Sequence, residues 1–320
     1  MRICFFGTPA AAVPTLRALI AAPDVTVVAA VTNPDRPSGR GNRLTPPPVK
    51  EAAVSAGLVV WQPRRPREIL DELRMLRVDA CAVVAYGALL PTDVLDAGGR
   101  GFVNLHFSLL PAWRGAAPVQ AALLAGETQT GVTCFVLDPG MDTGPVLSSA
   151  RTQIAPGETA GQLVARLATL GAPVLVDALR GLVAGALHPT PQDDSRASYA
   201  PKIADADARL DWARDAVALE RAVLAFNPAP GAHTTLAGMR LKVHRAAAIA
   251  APEGGAPPGT VVRVGRAAVA SCAAGGLRLD EVQPAGRPRM DGLALMNGYA
   301  RAGDALRLGD WDSPGVGDPA

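Results

Sequence analysis

Six short apolar runs, at residues 2–6, 25–31, 58–61, 80–85, 102–105 and 132–137, divide the first 140 residues at near-regular intervals. Each is too short for a buried helix and too evenly apolar for a strand with one wet face. A strand apolar on both sides must be covered on both sides, the condition of a parallel strand packed between helices. Helix-prone stretches fall between the runs, at 10–20, 67–76 and 118–124. The alternation predicts an α/β fold with a Rossmann-like, doubly wound, mostly parallel sheet, whose ligands sit beyond the carboxyl ends of the strands. No Gly-x-Gly-x-x-Gly follows the first strand and there is no Walker-type loop, so a dinucleotide or nucleoside triphosphate site is not indicated.

Further along, Thr159-Ala160-Gly161-Gln162 has the form of a capping box. Leu163, Leu167, Leu170 and Val174 then share one helical face, and the helix is expected to close the first domain near Leu187. The stretch that follows is rich in Pro and Asp, has no apolar period and reads as a linker. A helix is expected over 217–226. From Ala232 onward, short strand-like runs separated by Gly/Pro turns predict a small antiparallel barrel. The expected division is a catalytic domain at 1–188, a linker at 189–205 and a C-terminal domain at 206–320.

At 320 residues, with 49% hydrophobic and 19% charged residues, the chain can bury two cores. A net charge of +2 argues against a general nucleic-acid coat and leaves room for local basic patches. The N-terminus reads as a strand rather than a signal peptide, and no apolar run reaches the ~18 residues of a membrane span, so a cytoplasmic protein with no membrane partner is expected. Cys4, Cys81, Cys134 and Cys272 form no Cys-x-x-Cys pair and read as buried thiols. Four histidines without ligand spacing disfavour a metal.

Chemistry concentrates in Asn104-Leu105-His106-Phe107-Ser108-Leu109-Leu110-Pro111 and in Asp138-Pro139-Gly140-Met141-Asp142-Thr143-Gly144. On a strand, Asn104 and His106 point to one face. Asp142 follows in a turn just beyond the run 132–137. An amide that can hold an oxyanion, an imidazole and a carboxylate suit acyl transfer. A lone histidine in an apolar setting is more often a core residue; Asn104 two positions back and Asp142 downstream favour the catalytic reading. Ser108 as a hydrolase nucleophile is disfavoured, because it is in no Gly-x-Ser-x-Gly elbow. Val84-Ala85-Tyr86-Gly87 is either a strand end with a Gly turn or a pocket wall. The loop at 33–50 carries Arg36, Arg40, Arg43 and Lys50 against Asp35, a local +3, and loops this long are uncommon unless functional.

Asn-x-His-x-Ser-Leu-Leu-Pro followed by Asp-x-Gly-x-Asp-Thr-Gly resembles the folate-dependent formyltransferases. Phe-Gly-Thr-Pro at 6–9, Asn-Pro-Asp-Arg-Pro-Ser-Gly-Arg-Gly at 33–41 and Arg-Gly-Ala-Ala-Pro at 114–118 resemble the branch acting on methionyl-tRNA. The resemblance covers almost the whole chain and thins after about residue 290. It implies transfer of a formyl group from 10-formyltetrahydrofolate, without metal, to the α-amine of initiator methionyl-tRNA. It carries over Asn104, His106 and Asp142 as the catalytic trio. It also implies that Ser108, Leu109, Leu110 and Pro111, with Tyr86 and Gly87, contact the folate, and that Arg36, Arg40 and Arg43 meet the tRNA. The C-terminal barrel would be of the oligonucleotide-binding (OB-like) type, with Arg240, Lys242, Arg245, Arg287 and Arg289 giving it a basic surface, and the enzyme a monomer. Two positions depart from the family: Phe107 stands where a small residue is usual, and Ala229 where a tryptophan is usual. The alternatives are a formyltransferase acting on an amino sugar nucleotide or other small amine, and a non-catalytic RNA-binding protein.

Overall fold

The computed structural model describes residues 1–38, 43–300 and 305–309. Contacts divide the chain into two compact units. One comprises Met1–Pro118, Thr128–Ile154 and Leu163–Ala200, the other Val119–Glu127, Ala155–Gln162 and Pro201–Ala320.

The chain runs β1 (Arg2–Gly7), α1 (Val13–Ala21), β2 (Thr26–Val31), a hairpin of β3 (Arg36–Ser38) and β4 (Arg43–Thr45), and α2 (Pro48–Ser55). It continues through β5 (Val60–Trp61), α3 (Leu70–Leu76), β6 (Ala80–Val84), α4 (Thr92–Leu95), β7 (Phe102–His106), β8 (Arg114–Gly115) and α5 (Pro118–Ala125). The first half ends with β9 (Gln129–Val136), β10 (Val146–Gln153), α6 (Ala160–Val183) and β11 (Tyr199–Ala200). Seven strands form one sheet in the order β10-β9-β7-β6-β1-β2-β5. The five from β5 to β7 are parallel, while β9 and β10 run antiparallel to their neighbours. Ile3 to Phe6 of β1 and all of β6 are buried, as evenly apolar strands require. The six apolar runs all become strands of this sheet.

Two parts were not legible. Strand β10 (Val-Leu-Ser-Ser-Ala-Arg-Thr-Gln) is the edge strand; Leu147 alone is buried, and from Ser148 its positions alternate between half-buried and exposed, so it lacks the apolar signature of the others. The hairpin β3–β4 sits inside the basic loop, with Arg36 opposite Thr45 and Ser38 opposite Arg43.

The capping box forms: Thr159 N donates to Gln162 Oε1 (2.9 Å) and Gln162 N donates to Thr159 Oγ1 (3.4 Å). The buried stripe of α6 runs through Leu163, Leu167, Leu175 and Leu179, rather than through Leu170 and Val174. Gly171 sets this rotation, since a Cβ there would meet the Leu105 side chain at 2.7 Å. By length and composition α6 could cross a membrane, but half of that apolar window is buried inside the fold, as in a core helix. All four cysteines are buried and free.

The stretch from Thr190 to Ala200 is stitched to the first unit along its length. Thr190 exchanges both backbone hydrogen bonds with Val146 (2.8 Å each). Ser198 Oγ accepts from Trp113 N (2.9 Å), and β11 pairs in parallel with β8. The last change of unit along the chain falls after Ala200.

In the second unit, β12 (His233–Leu236), β13 (Met239–Ile249), β14 (Thr260–Val264), β15 (Ala267–Ser271), β16 (Gly276–Pro284) and β17 (Leu306–Arg307) form an antiparallel sheet in the order β12-β13-β16-β15-β14-β17. A bridge between Leu236 and Leu308, with Gly309 N donating to Thr235 O (3.0 Å), joins its two edges into a nearly closed barrel. Helix α7 (Ala216–Ala225), capped by Asp215, and α8 (Gly292–Tyr299), capped by Asp291, supply Leu219, Val223 and Leu295 to its core. The basic surface expected here is partly neutralised: Arg240 pairs with Asp205 (2.6 Å) and Arg289 with Glu281 (3.3 Å).

Candidate active site

Asn104 and His106 lie on the same face of β7 and open into one cleft of about 1240 Å³ in the first unit. Asp142 reaches the same place by a different route from the one expected. Because β9 is antiparallel, its carboxyl end lies at the amino end of β7, with Val136 opposite Val103 and Thr133 opposite His106. The loop after β9 must therefore run back along β7 by about three residues, roughly 10 Å at the rise of a strand. The rule that ligands gather at carboxyl ends holds for β6 and β7 and fails for β9.

The sequence of that loop explains how it turns. Asp138 accepts from Gly140 N (3.0 Å) and from Thr143 Oγ1 (2.8 and 3.0 Å), closing the turn on itself. A Cβ on Gly144 would collide with the Val136 carbonyl. Between them Asp142 adopts a left-handed backbone (φ 56°), an unfavourable region for a residue other than glycine. Its carboxylate Oδ2 accepts from Gly115 N (2.7 Å) and stands 3.7 Å from His106 Nδ1.

His106 is 6% exposed, and its Nε2 lies 2.9 Å from the Trp113 carbonyl. A carbonyl only accepts, so Nε2 carries the proton and Nδ1 is the nitrogen turned to Asp142. Burial pushes the imidazole pKa below its ordinary value, against the opposing pulls of Asp142 and of the Trp113 carbonyl. The ring is thus favoured neutral, with a free lone pair on Nδ1. Asn104 is half-buried, and its side-chain amide makes no hydrogen bond to the described residues, so its N–H is available to a bound group. A neutral base beside a carboxylate, next to an uncommitted amide donor, can support attack of an amine on a carbonyl and removal of its proton.

Tyr86 and Gly87 line the cleft. The Tyr86 ring is turned into the core, edge-on to Phe6 at 5.4 Å, and burial pushes its phenol up to about 12. Its carbonyl accepts from Thr8 Oγ1 and Asn33 Nδ2 (3.0 Å each). Phe107 also lines the cleft. Ser108, Leu109, Leu110 and Pro111, expected as folate contacts, are not in the cleft wall. Ser108 is fully buried, with its hydroxyl donating to the Ala112 carbonyl (2.6 Å), and Leu110 N donates to Thr133 Oγ1 (3.0 Å). These bonds shape the turn that presents the Trp113 carbonyl to His106.

Leu89, Leu90, Leu95, Leu137 and Met141 complete much of the apolar wall. None was singled out from sequence, since a Leu in a loop carries no pattern of its own; exposure gives two of them away, Leu89 at 77% and Met141 at 59%. Arg36 and Arg43 are exposed on the hairpin and make no ion pair among the described residues, while Lys50 is tied to Asp35 at 2.7 Å. Arg40 lies outside the described residues. Among the described residues no group of three or more His, Cys, Asp or Glu could hold a metal.

A family model described as formyl transferase matches residues 1–179, and one described as formyl transferase, C-terminal domain, matches residues 202–300. The methionyl-tRNA formyltransferase of Methylococcus capsulatus is 47% identical over 309 residues, covering 96% of this chain and 99% of that protein. That of Symbiobacterium thermophilum is 46% identical over 302 residues, covering 93% and 92%. Among solved structures, HypX from Aquifex aeolicus in complex with tetrahydrofolic acid aligns with a TM-score of 0.63 at 16% identity, a likeness of fold. That alignment covers 94% of this chain and 48% of HypX, so the chain spans about half the length of that protein. Matched in both halves by family models, and at 46–47% identity over nearly its whole length by these relatives, the chain belongs to the formyl transferase family, beside the methionyl-tRNA formyltransferases.

Proposed function

We propose that this protein transfers the formyl group of 10-formyltetrahydrofolate to the α-amino group of methionine on initiator tRNA, giving N-formylmethionyl-tRNA for translation initiation in the cytoplasm. The observation that carries the reading is the convergence of Asn104, His106 and Asp142 at one cleft, in a chain 47% identical to a methionyl-tRNA formyltransferase along its length. The apolar wall from Leu89 to Leu95 and at Leu137 suits a flat ring system, and a volume of about 1240 Å³ leaves room for donor and acceptor together. The folate supplies an activated formyl carbon.

The rest is the work of the chain. Asn104 Nδ2 donates to the formyl oxygen as charge develops there. The amine nitrogen forms its bond to the formyl carbon, the bond from that carbon to the folate nitrogen breaks, and the amine loses a proton. His106 Nδ1, unprotonated and facing Asp142, takes that proton directly or through a water. Asp142 stabilises the resulting imidazolium, and the proton passes on to the folate nitrogen. Because Nε2 is committed to Trp113, His106 can donate to the oxyanion only from a protonated Nδ1, so Asn104 is the principal donor. Arg36, Arg40 and Arg43, all within the sequence 33–50, meet tRNA phosphates or bases, for which a planar guanidinium is suited.

The test is formylation of methionyl initiator tRNA with 10-formyltetrahydrofolate, beside uncharged tRNA and an amino sugar nucleotide as competing acceptors. Formyl incorporation into the charged tRNA alone is expected. Incorporation into the sugar with none into the tRNA would overturn the assignment.

A further inference from the structure

Gln192 lies fifty residues beyond Asp142, in a segment without apolar pattern, yet its side-chain amide is saturated by the loop that carries Asp142 and by Arg114. Nε2 donates to the Asp142 carbonyl (2.8 Å) and to the Gly144 carbonyl (2.7 Å). Oε1 accepts from Arg114 Nε (3.0 Å) and Nη2 (2.8 Å). Two donors and two lone pairs are all that an amide has. The reverse orientation would set the NH₂ against a guanidinium, so the orientation is fixed by its partners.

Arg114 is 2% exposed and is also held by Asp194 (Nη2 to Oδ1, 2.7 Å). Its neighbours on either side touch both catalytic side chains: the Trp113 carbonyl accepts from His106 Nε2, and Gly115 N donates to Asp142 Oδ2. The left-handed Asp142 needs its surroundings to hold it, because that backbone conformation is costly by itself. Gln192 grips the carbonyl of that residue and, through Arg114, the strand that supplies the carboxylate with its hydrogen bond. The register of β11 on β8, with Tyr199 opposite Arg114 and Ala200 opposite Gly115, locks the far end of the same segment.

We propose that Gln192 is a positioning residue for the His106–Asp142 pair, with Arg114 as its anchor, so that the segment 190–200 is part of the catalytic apparatus rather than a connector. The proposal rests on the reading of Asp142 and His106 as the reacting groups. Without the amide, the loop is free to relax from the left-handed turn, and the 3.7 Å separation of carboxylate and imidazole is no longer imposed.

The experiment uses the full chain. Gln192→Met removes both sets of bonds at similar length. Gln192→Glu still accepts from Arg114 but cannot donate to the two carbonyls. Each is assayed for kcat and KM with methionyl-tRNA and for the pH dependence of kcat, with the folded fraction checked by circular dichroism. Both variants should lose about 10- to 100-fold in kcat, the scale of a misplaced catalytic group. KM for tRNA should stay within about twofold, and the acid limb of the pH profile should move. Gln192→Glu should be as impaired as Gln192→Met, although its bonds to Arg114 survive.

Wild-type kcat and pH profile in Gln192→Glu, or activity lost only in proportion to folded protein, would reduce Gln192 to a structural role and overturn the proposal. If Gln192→Met folds poorly, Arg114→Lys carries the test: it keeps a charge for Asp194, gives up the paired hydrogen bonds to Gln192, and should show the same split between kcat and KM. An unchanged kcat there would also overturn it. A wild-type protein that formylates no tRNA at all would count against the proposed function, and not against this positioning.

Discussion

The base of the cleft and the β3–β4 hairpin belong to the same unit and are built on opposite terms. At the base, His106 Nε2, Asp142 Oδ2 and the Asp142 carbonyl each have a named partner, and Asn104 is the one polar side chain of the trio left without one among the described residues. On the hairpin, Arg36 and Arg43 are exposed and unpaired among the described residues. Chemistry on a single carbonyl needs groups fixed to within a fraction of an ångström, and a second layer of bonds supplies that. A polyanion presents many equivalent phosphates, so long cations that search for them suffice, and fixing them in advance would gain little.

The largest effects should come from the fixed region. Asp142→Asn and His106→Ala should each lower kcat by about 10²–10⁴-fold, the range for a positioned acid–base group or an oxyanion donor. Folate binding should change far less than the rate. Near-normal single-turnover formylation in either variant would break the comparison at its stronger end.

Next come the free cations. Replacing Arg36 and Arg43 together by Ala should lower kcat/KM for methionyl-tRNA several-fold and leave KM for the formyl donor unchanged. The salt dependence should become shallower by roughly one unit of slope for each phosphate that is no longer neutralised. Arg40→Ala extends the test to another cation of the same loop. A uniform loss without change in slope would point to base stacking or hydrogen bonding; no loss in any variant would leave the hairpin without a role in RNA recognition.

The pH dependence sharpens the first region further. The pKa of His106 is depressed in the fold, so the neutral ring should persist below the ordinary value of ~6.5, and kcat should fall only at more acidic pH. The same shift makes stability fall as pH drops below ~6.5, because the unfolded chain binds the proton first, until the folded value is passed. An acid limb of kcat at or above ~6.5 would show instead that Asp142 outweighs burial.

The smallest effects are on stability. Gly144→Ala should cost about 1–3 kcal/mol through the collision with the Val136 carbonyl. Arg36→Ala should stay within about ±0.5 kcal/mol in thermal or urea unfolding.

Much of this was written in local sequence. The evenly apolar runs determined strands buried on both faces, the alternation determined a doubly wound sheet, and Asn104 and His106 had to share a face once 102–105 was a strand. The motif around Asp138 likewise determined a tight turn, through an Asp that bonds its own loop and a glycine against a carbonyl. Strand direction was not available in this way. An apolar run reads the same whether it pairs in parallel or antiparallel, so the reversal at β9, and the route by which Asp142 returns to His106, were decided by pairing across the sheet. The bonds that fix the segment after His106 were hidden for a related reason: the Ser108 hydroxyl donates to the Ala112 carbonyl and Leu110 N to Thr133 Oγ1, the latter 23 positions away. Gln192 is the clearest case. A polar residue in a Pro- and Asp-rich stretch carries no periodic signal, and its partners lie 48 to 78 positions away. Local propensity determines elements, because their hydrogen bonds close within the segment or follow its period. The site needed bonds between distant segments, and only the packed chain brings those together.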